Sequence, residues 1–412
     1  MYNPWQDKAS LPRAKRSSVI LAAVAFFFCA LTLPFSTSEN ISLAVLAVLF
    51  AYTVYVARMP VPVTLLLLTA FTCVLLTGTF AAGAIFLCIT IGVCSGAFLL
   101  TALRRPYFVL LLPVVAAVAA YAILRSVELA VICLAFLPAA ILLAIATRTG
   151  QRRTTAVCFA LGGLLLVVVA GLALFAWRQS TAAGLSLSDY IESLREQLLQ
   201  LLISVREEMV ALMQESLVAE GGVLTEDATA QIQTVRDTLS DTLLSDLVAL
   251  LFNLIPAIVV IVCSIVAYEA QALLNANYRT AGMGNVVTEN ARIFTMSVAS
   301  AVLFMIACAV TLFATSDSIP VMAANNLCLM LLPGFCVISV QSMAAFFTNA
   351  RGGGKALVLL LIASMCCCSP GAIFYVLAFW GAYQCVMDAV RKRVTKYISP
   401  DEKPPHSEDG EN

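Results

Sequence analysis

The sequence predicts an all-α, polytopic helical membrane protein, and three observations carry that expectation. Hydrophobic residues make up 61% of the 412-residue chain, charged residues only 12%, and the mean hydropathy is +0.95. Soluble domains run near ~45–50% apolar and ~25% charged. The apolar excess falls in long uncharged runs, each near the roughly 20 residues that cross a bilayer as a helix. Charge is also segregated: residues 178–246 hold four Arg and twelve acidic residues, a net −8, although the whole chain is neutral. A soluble enzyme, a disulfide-stapled secreted domain and a disordered chain are excluded, and no basic face offers itself to nucleic acid.

The runs, in order, are 18–34, 41–57, 61–77, 80–103, 107–124, 129–147 and 155–177, then 247–267, 293–314, 320–347, 356–369 and 372–387. Ser369-Pro370-Gly371 separates the last two, because Pro-Gly is a strong turn signal. Twelve spans with the N-terminus inside place 19 of the 24 basic residues on the inner face, including Lys15, Arg16, Arg148, Arg152, Arg153, Arg279 and the 391–396 cluster. Eleven spans would put that cluster outside, so the positive-inside rule favours twelve, with both termini cytoplasmic. The first run resembles a signal peptide, with Ser36-Thr37-Ser38 as a cleavage site, but the charge pattern requires it to stay.

The domain order is therefore a basic N-terminus (1–17), seven helices (18–177), an acidic extracytoplasmic segment (178–246), five helices (247–390) and a cytoplasmic tail (391–412) that is disordered after its basic start. Within the acidic segment, Ile191, Leu194, Leu198, Leu201, Leu202, Val205, Met209, Leu212 and Met213 recur at three- and four-residue steps, an amphipathic helix over 186–217. Ser186 with Asp189 forms its capping box. Gly221-Gly222 breaks it, and a second helix, capped by Thr225, is expected to run straight into the 247–267 span. The pair makes a helical hairpin standing outside the membrane. The alternative, a helix lying in the interface, expects a Lys/Arg-rich polar face, and this one is acidic.

Chemistry is bounded first by what the runs lack: none contains Asp, Glu, Lys, Arg or His, and the single His is His406 in the tail. Intramembrane carboxylates mark proton relays, so a proton-coupled pump is disfavoured, and no HExxH zinc set exists. The 14 Cys fall in apolar runs and are read as small hydrophobes without disulfides. Glu269 and Asp388, at the inner ends of their spans, are candidate gate or partner contacts, with Arg391, Lys392 and Arg393; the simpler reading is interfacial groups reaching water. Asn253, near Pro256, and Asn325, Asn326 and Gln341, around Pro333-Gly334, are candidate ligand-binding amides in a Pro-broken cavity. The competing reading is interhelical hydrogen bonding. Arg351-Gly352-Gly353-Gly354-Lys355 lacks phosphate-loop spacing, consecutive Cys366-Cys367-Cys368 cannot converge on one ion, and Gly92/Gly96 is a GxxxG packing signal.

Leu254-Ile255-Pro256, Asn326-Leu327, Leu332-Pro333-Gly334-Phe335 and Gln341 resemble the YybS-like family of bacterial multi-pass membrane proteins, over about residues 60–395. The ending from Gly381 to Arg393 is similar to that family's closing Gly-x-x-Asp and Arg-Lys pattern, with Gln384 in place of the usual Asp. The family is distantly similar to the substrate-binding components of energy-coupling-factor transporters. The resemblance implies a small-molecule site in the bacterial cytoplasmic membrane, powered by a partner ATPase. The expected function is thus non-enzymatic binding or transport of a neutral or weakly polar small molecule, without a cofactor or metal. The alternative is a scaffold or sensor that uses the acidic hairpin and the basic inner end for partner contacts.

Overall fold

A backbone surrounded by hydrocarbon must satisfy its N–H and C=O groups within its own segment, so uncharged apolar runs become helices. The computed structural model describes residues 14–36, 38–57, 60–103, 107–217, 226–283, 294–313, 318–349 and 370–398, and among these no strand occurs. The helices are α1 (Arg16–Thr32), α2 (Glu39–Ala57), α3 (Pro60–Thr77), α4 (Phe80–Ala102), α5 (Tyr107–Leu124), α6 (Val127–Ile132), α7 (Leu137–Arg148), α8 (Arg153–Ala183), α9 (Leu187–Leu217), α10 (Glu226–Thr238), α11 (Asp241–Thr280), α12 (Val298–Phe313), α13 (Ile319–Asn349) and α14 (Pro370–Ile398). Among the described residues nine helical segments are long and apolar enough to cross a membrane, and two shorter apolar helices, Leu66–Thr77 and Val298–Phe313, accompany them. This is the make-up of a polytopic helical membrane protein. The expected run at 356–369, the 221–222 break, Thr225, the 351–355 and 366–368 motifs and the 399–412 tail lie outside the described residues.

Three expectations about elements are corrected. The run 129–147 is one apolar segment long enough to span, Val127–Arg148, but not one unbroken helix: α6 stops, residues 133–136 turn, and α7 starts with Pro138 in its first turn, where a missing N–H costs nothing. The helix expected to run unbroken into the 247–267 span breaks at Leu239–Ser240. There the Leu239 carbonyl accepts from Arg206 Nη1 at 2.8 Å, and Ser240 Oγ accepts from Leu243 N at 3.4 Å, a new N-cap. Finally, α11 does not stop near residue 267 but continues to Thr280.

The chain divides into two compact units, and the division falls within α8 and α11. The first comprises residues up to Gly163 and from Cys263 onward. Its centre is α4, buried around its whole circumference by α1, α2, α3 and α7. Small residues make that possible: Gly96 faces the Phe26 ring, and Gly92 faces the Phe136 ring, where an added Cβ would lie 3.0 Å from its atoms. In the same unit α12, α13 and α14 pack together around Phe304, whose ring centroid is 5.1 Å from that of Phe335 and 5.5 Å from that of Phe379. Outward faces stay apolar: Leu111, Val115 and Val118 of α5 are exposed, an arrangement suited to lipid.

The second unit, Leu164–Val262, holds the rest of α8, then α9, α10 and the start of α11. Ser186 caps α9 as its spacing predicts, accepting from Asp189 N at 3.2 Å. Arg206 of α9 ties its helix to α11 and to the turn before it, pairing with Asp241 at 2.6 Å and Glu207 at 2.9 Å and donating to the Leu239 carbonyl; Arg236 of α10 pairs with Glu207 at 3.0 Å. Val210, Ile232, Leu244 and Val248 are buried in the same unit. The hydrogen bond to Asp241, followed by that to Glu207, raises the Arg206 guanidinium above the ordinary arginine range.

Candidate functional site

Sequence direction and cross-helix hydrogen bonds gather one end of the first unit. Lys15 N donates to the Ala281 carbonyl at 3.1 Å, and Thr280 Oγ1 donates to the Val56 carbonyl at 2.7 Å. The Tyr278 hydroxyl and Thr101 Oγ1 are 2.6 Å apart. Arg148 Nη2 donates to the carbonyls of Leu100 and Thr101 at 2.6 and 3.2 Å. Those are among the last carbonyls of α4, which have no intrahelical partner, and a cation there also suits the helix dipole. The start of α1 and the ends of α2, α4, α7 and α11 therefore meet in one polar layer.

The second half of α11 carries polar groups from that layer inward. Gln271 is buried and accepts from Arg153 Nε at 3.0 Å, while the Arg153 guanidinium lies 4.5 Å from the Tyr268 ring centre. Asn277 is also buried, and its Nδ2 has no hydrogen-bond partner among the described residues. Glu269 is the buried acidic group among the described residues: its residue is 9% exposed, and Oε1 accepts from Thr69 Oγ1 at 2.6 Å. Its Oε2 is buried with no hydrogen-bond partner among the described residues. At ~1.5 Å per residue, Glu269 lies about 16 Å along α11 from Thr280, and Thr69 about 13 Å along α3 from Pro60. Successive helical residues point about 100° apart, so Thr69 and Arg153 approach α11 from different faces. Cys73, one turn beyond Thr69 on α3, is the titratable neighbour of the carboxyl.

Such a carboxyl can hold and release a proton or, when protonated, donate a hydrogen bond from Oε2 to a polar ligand. Among the described residues no group of three His, Cys, Asp or Glu could hold a metal ion. The expectation that Glu269 reaches water at a span end is corrected. The helix does not end there because its stop signal comes later, at Gly282. Gly282 has φ +79°, its N–H donates to the Arg279 carbonyl at 3.2 Å, and Met283 N donates to the Tyr278 carbonyl at 2.8 Å. This is the left-handed cap that favours glycine. Reading the helix to its glycine rather than to its first charge would have found the site.

The amide residues lie on two helices, Asn325, Asn326 and Gln341 on α13 and Asn253 on α11. Asn325 and Asn326 are half-buried on α13, and Asn326 Nδ2 donates to the carbonyl of Met322 on its own helix at 3.0 Å. Gln341 is half-buried on the same helix, about 22 Å further along it. The helix break expected at Pro333 does not occur: α13 runs unbroken through that proline. Asn253 is exposed on α11 in the second unit. Asp388 and Arg391 are exposed on α14, and the side chains of Lys392 and Arg393 lie outside the described residues.

No family model, no curated protein and no solved structure matches the chain. The resemblance to the YybS-like family rests on the residues quoted for it alone.

Proposed function

We propose that the chain is an integral membrane transporter of a small polar molecule, with proton exchange at Glu269 as its coupling step. The observation that carries this reading is a buried carboxyl held by one hydroxyl through Oε1, with Oε2 unpartnered among the described residues. Ionisable groups inside membrane helices are expensive and mark ion and substrate pathways. Protonated Glu269 offers Oε2–H to the ligand; release of the proton withdraws that donor and weakens binding. On this reading a proton gradient, rather than a partner ATPase, supplies the energy. Twelve spans in a bacterial cytoplasmic membrane, both termini inside and the acidic helices outside, complete the picture.

Vesicles containing the purified protein, given an extract of small metabolites and an imposed pH gradient, test it. The expected result is at least one metabolite that accumulates with the natural protein and not with Glu269→Gln or empty vesicles. Equal uptake by the natural protein and Glu269→Gln overturns the coupling step. The exposed apolar stripe of Ile191, Leu201, Val205 and Leu212 on α9 favours a second reading, a scaffold or sensor that docks a partner through its acidic helices. Gradient-independent, equal contents in all three vesicle types would favour it.

A further inference from the structure

We infer that Cys308 and Cys328 are a redox pair that closes to a disulfide between α12 and α13, with a lipid-soluble quinone as oxidant. Their Sγ atoms are 2.9 Å apart. That is already inside the ~3.5–4.0 Å at which two carbon atoms, smaller than sulfur, rest in contact. A disulfide needs about 2.05 Å, so less than one ångström of movement closes the bond. This departs from the reading of every cysteine as an inert small hydrophobe.

The surrounding packing holds the pair in register. Ala301, Phe304 and Ala307 line the buried face of α12 that carries Cys308, and α13 answers with Ala324, Phe335 and Ile338. The Phe304–Phe335 contact, one turn from Cys308, fixes the two helices against each other. Cys308 lies about 8 Å from the end of α12, and Cys328 about 14 Å from the start of α13. Both therefore sit toward the end of the helix pair where α12 hands over to α13.

Burial selects the oxidant. Cys308 is 3% and Cys328 2% exposed, within an apolar face. A water-borne thiol–disulfide carrier does not enter the lipid around these helices; a lipid-soluble quinone does, and it takes the electrons when α12 and α13 part enough to admit it. In the reaction two S–H bonds break and one S–S bond forms. The two protons and two electrons pass to the quinone, which leaves as the quinol. The product staples α12 to α13 and removes their freedom to slide or separate.

The test uses the full-length protein in its membrane. Free thiols are blocked with N-ethylmaleimide under denaturant, disulfides are then reduced, and the newly released thiols receive a second, isotopically distinct maleimide before mass spectrometry. A short-chain ubiquinone added beforehand should move Cys308 and Cys328 together into the second label, at least fivefold over untreated membranes, with one quinol formed per pair. Cys308→Ser should return Cys328 to the first label. If that variant does not accumulate, the paired labelling in the natural protein still decides. Retention of the first label by both residues after quinone treatment overturns the inference. So does a second label on Cys328 with a different cysteine as partner, or closure by copper–phenanthroline with none by quinone.

Discussion

Arg148 illustrates how a single side chain completes a helix it does not belong to. Its guanidinium reaches from the last turn of α7 to the carbonyls of Leu100 and Thr101, and Thr101 in turn meets the buried Tyr278 hydroxyl. Removing one partner of a buried hydrogen bond leaves the other unsatisfied, at a cost of about 1–3 kcal/mol. Arg148→Ala should therefore destabilise by about that much, and Arg148→Lys should restore only part, because an ammonium lacks the planar fork that spans two acceptors. In a double-mutant cycle, Tyr278→Phe and Thr101→Val should couple by about 0.5–1.5 kcal/mol. Unfolding of the four variants in detergent reads all these values, and zero coupling would break the assignment of that hydroxyl pair. At this scale the sequence was least legible. Arg148 reads as one more inner-face charge, and Glu269 as a span terminator, because their partners Leu100 and Thr69 lie 48 and 200 residues away.

Packing at the level of elements turns on which glycines face a neighbour. Gly162 and Gly163 are adjacent on α8, and the sequence treats them alike. A Cβ on Gly163 would lie 2.6 Å from the backbone nitrogen and Cα of Ala139 on α7, whereas one on Gly162 meets nothing within 4 Å. Gly163→Ala should cost about 1–3 kcal/mol through overpacking. Gly162→Ala should be neutral or stabilise by up to about 1 kcal/mol, since alanine is the better helix former. Equal effects in thermal melts would refute the close α7–α8 approach. The tie between α9 and α11 makes a further prediction. A guanidinium whose value is raised in the folded chain contributes stability that is present below its unfolded value and is lost only above its folded one. Hydrogen-exchange protection factors across 187–217 and 226–240, with the base-catalysed rise of the intrinsic rate divided out, should thus be unchanged between pH 7 and 10, and Arg206→Gln should lower them throughout. Helix periodicity and the Ser186 cap were readable in this segment. The break at Leu239 was not, because it depends on a bond from Arg206, 33 residues earlier.

At the scale of the whole molecule, the first unit assigns its charges to ends. From α1 to α5 the helices alternate, α6 and α7 continue together as one apolar segment, Val127–Arg148, and hydrogen bonds place Lys15, Val56, Thr101, Arg148 and Thr280 in one layer. Lys15, Arg16, Arg148, Arg152, Arg153 and Arg279 belong to that end by position. The opposite ends of these helices carry Glu39, Glu128 and Arg125 as their charges among the described residues. Hydropathy runs and charge bias made this pattern legible in advance, because both act on segments rather than on tertiary contacts. The basic end should face the cytoplasm. Gln151→Cys at that end and Asn40→Cys at the other place exposed thiols on the two sides, and the unsubstituted protein gives the background labelling of the native cysteines. In intact cells the impermeant reagent should label Asn40→Cys and spare Gln151→Cys, and inside-out vesicles should reverse the result. Labelling of both from one side would place both helix ends on the same face and overturn the alternation. Labelling of Gln151→Cys alone in intact cells would invert the protein, and with it the direction in which Glu269 must receive its proton.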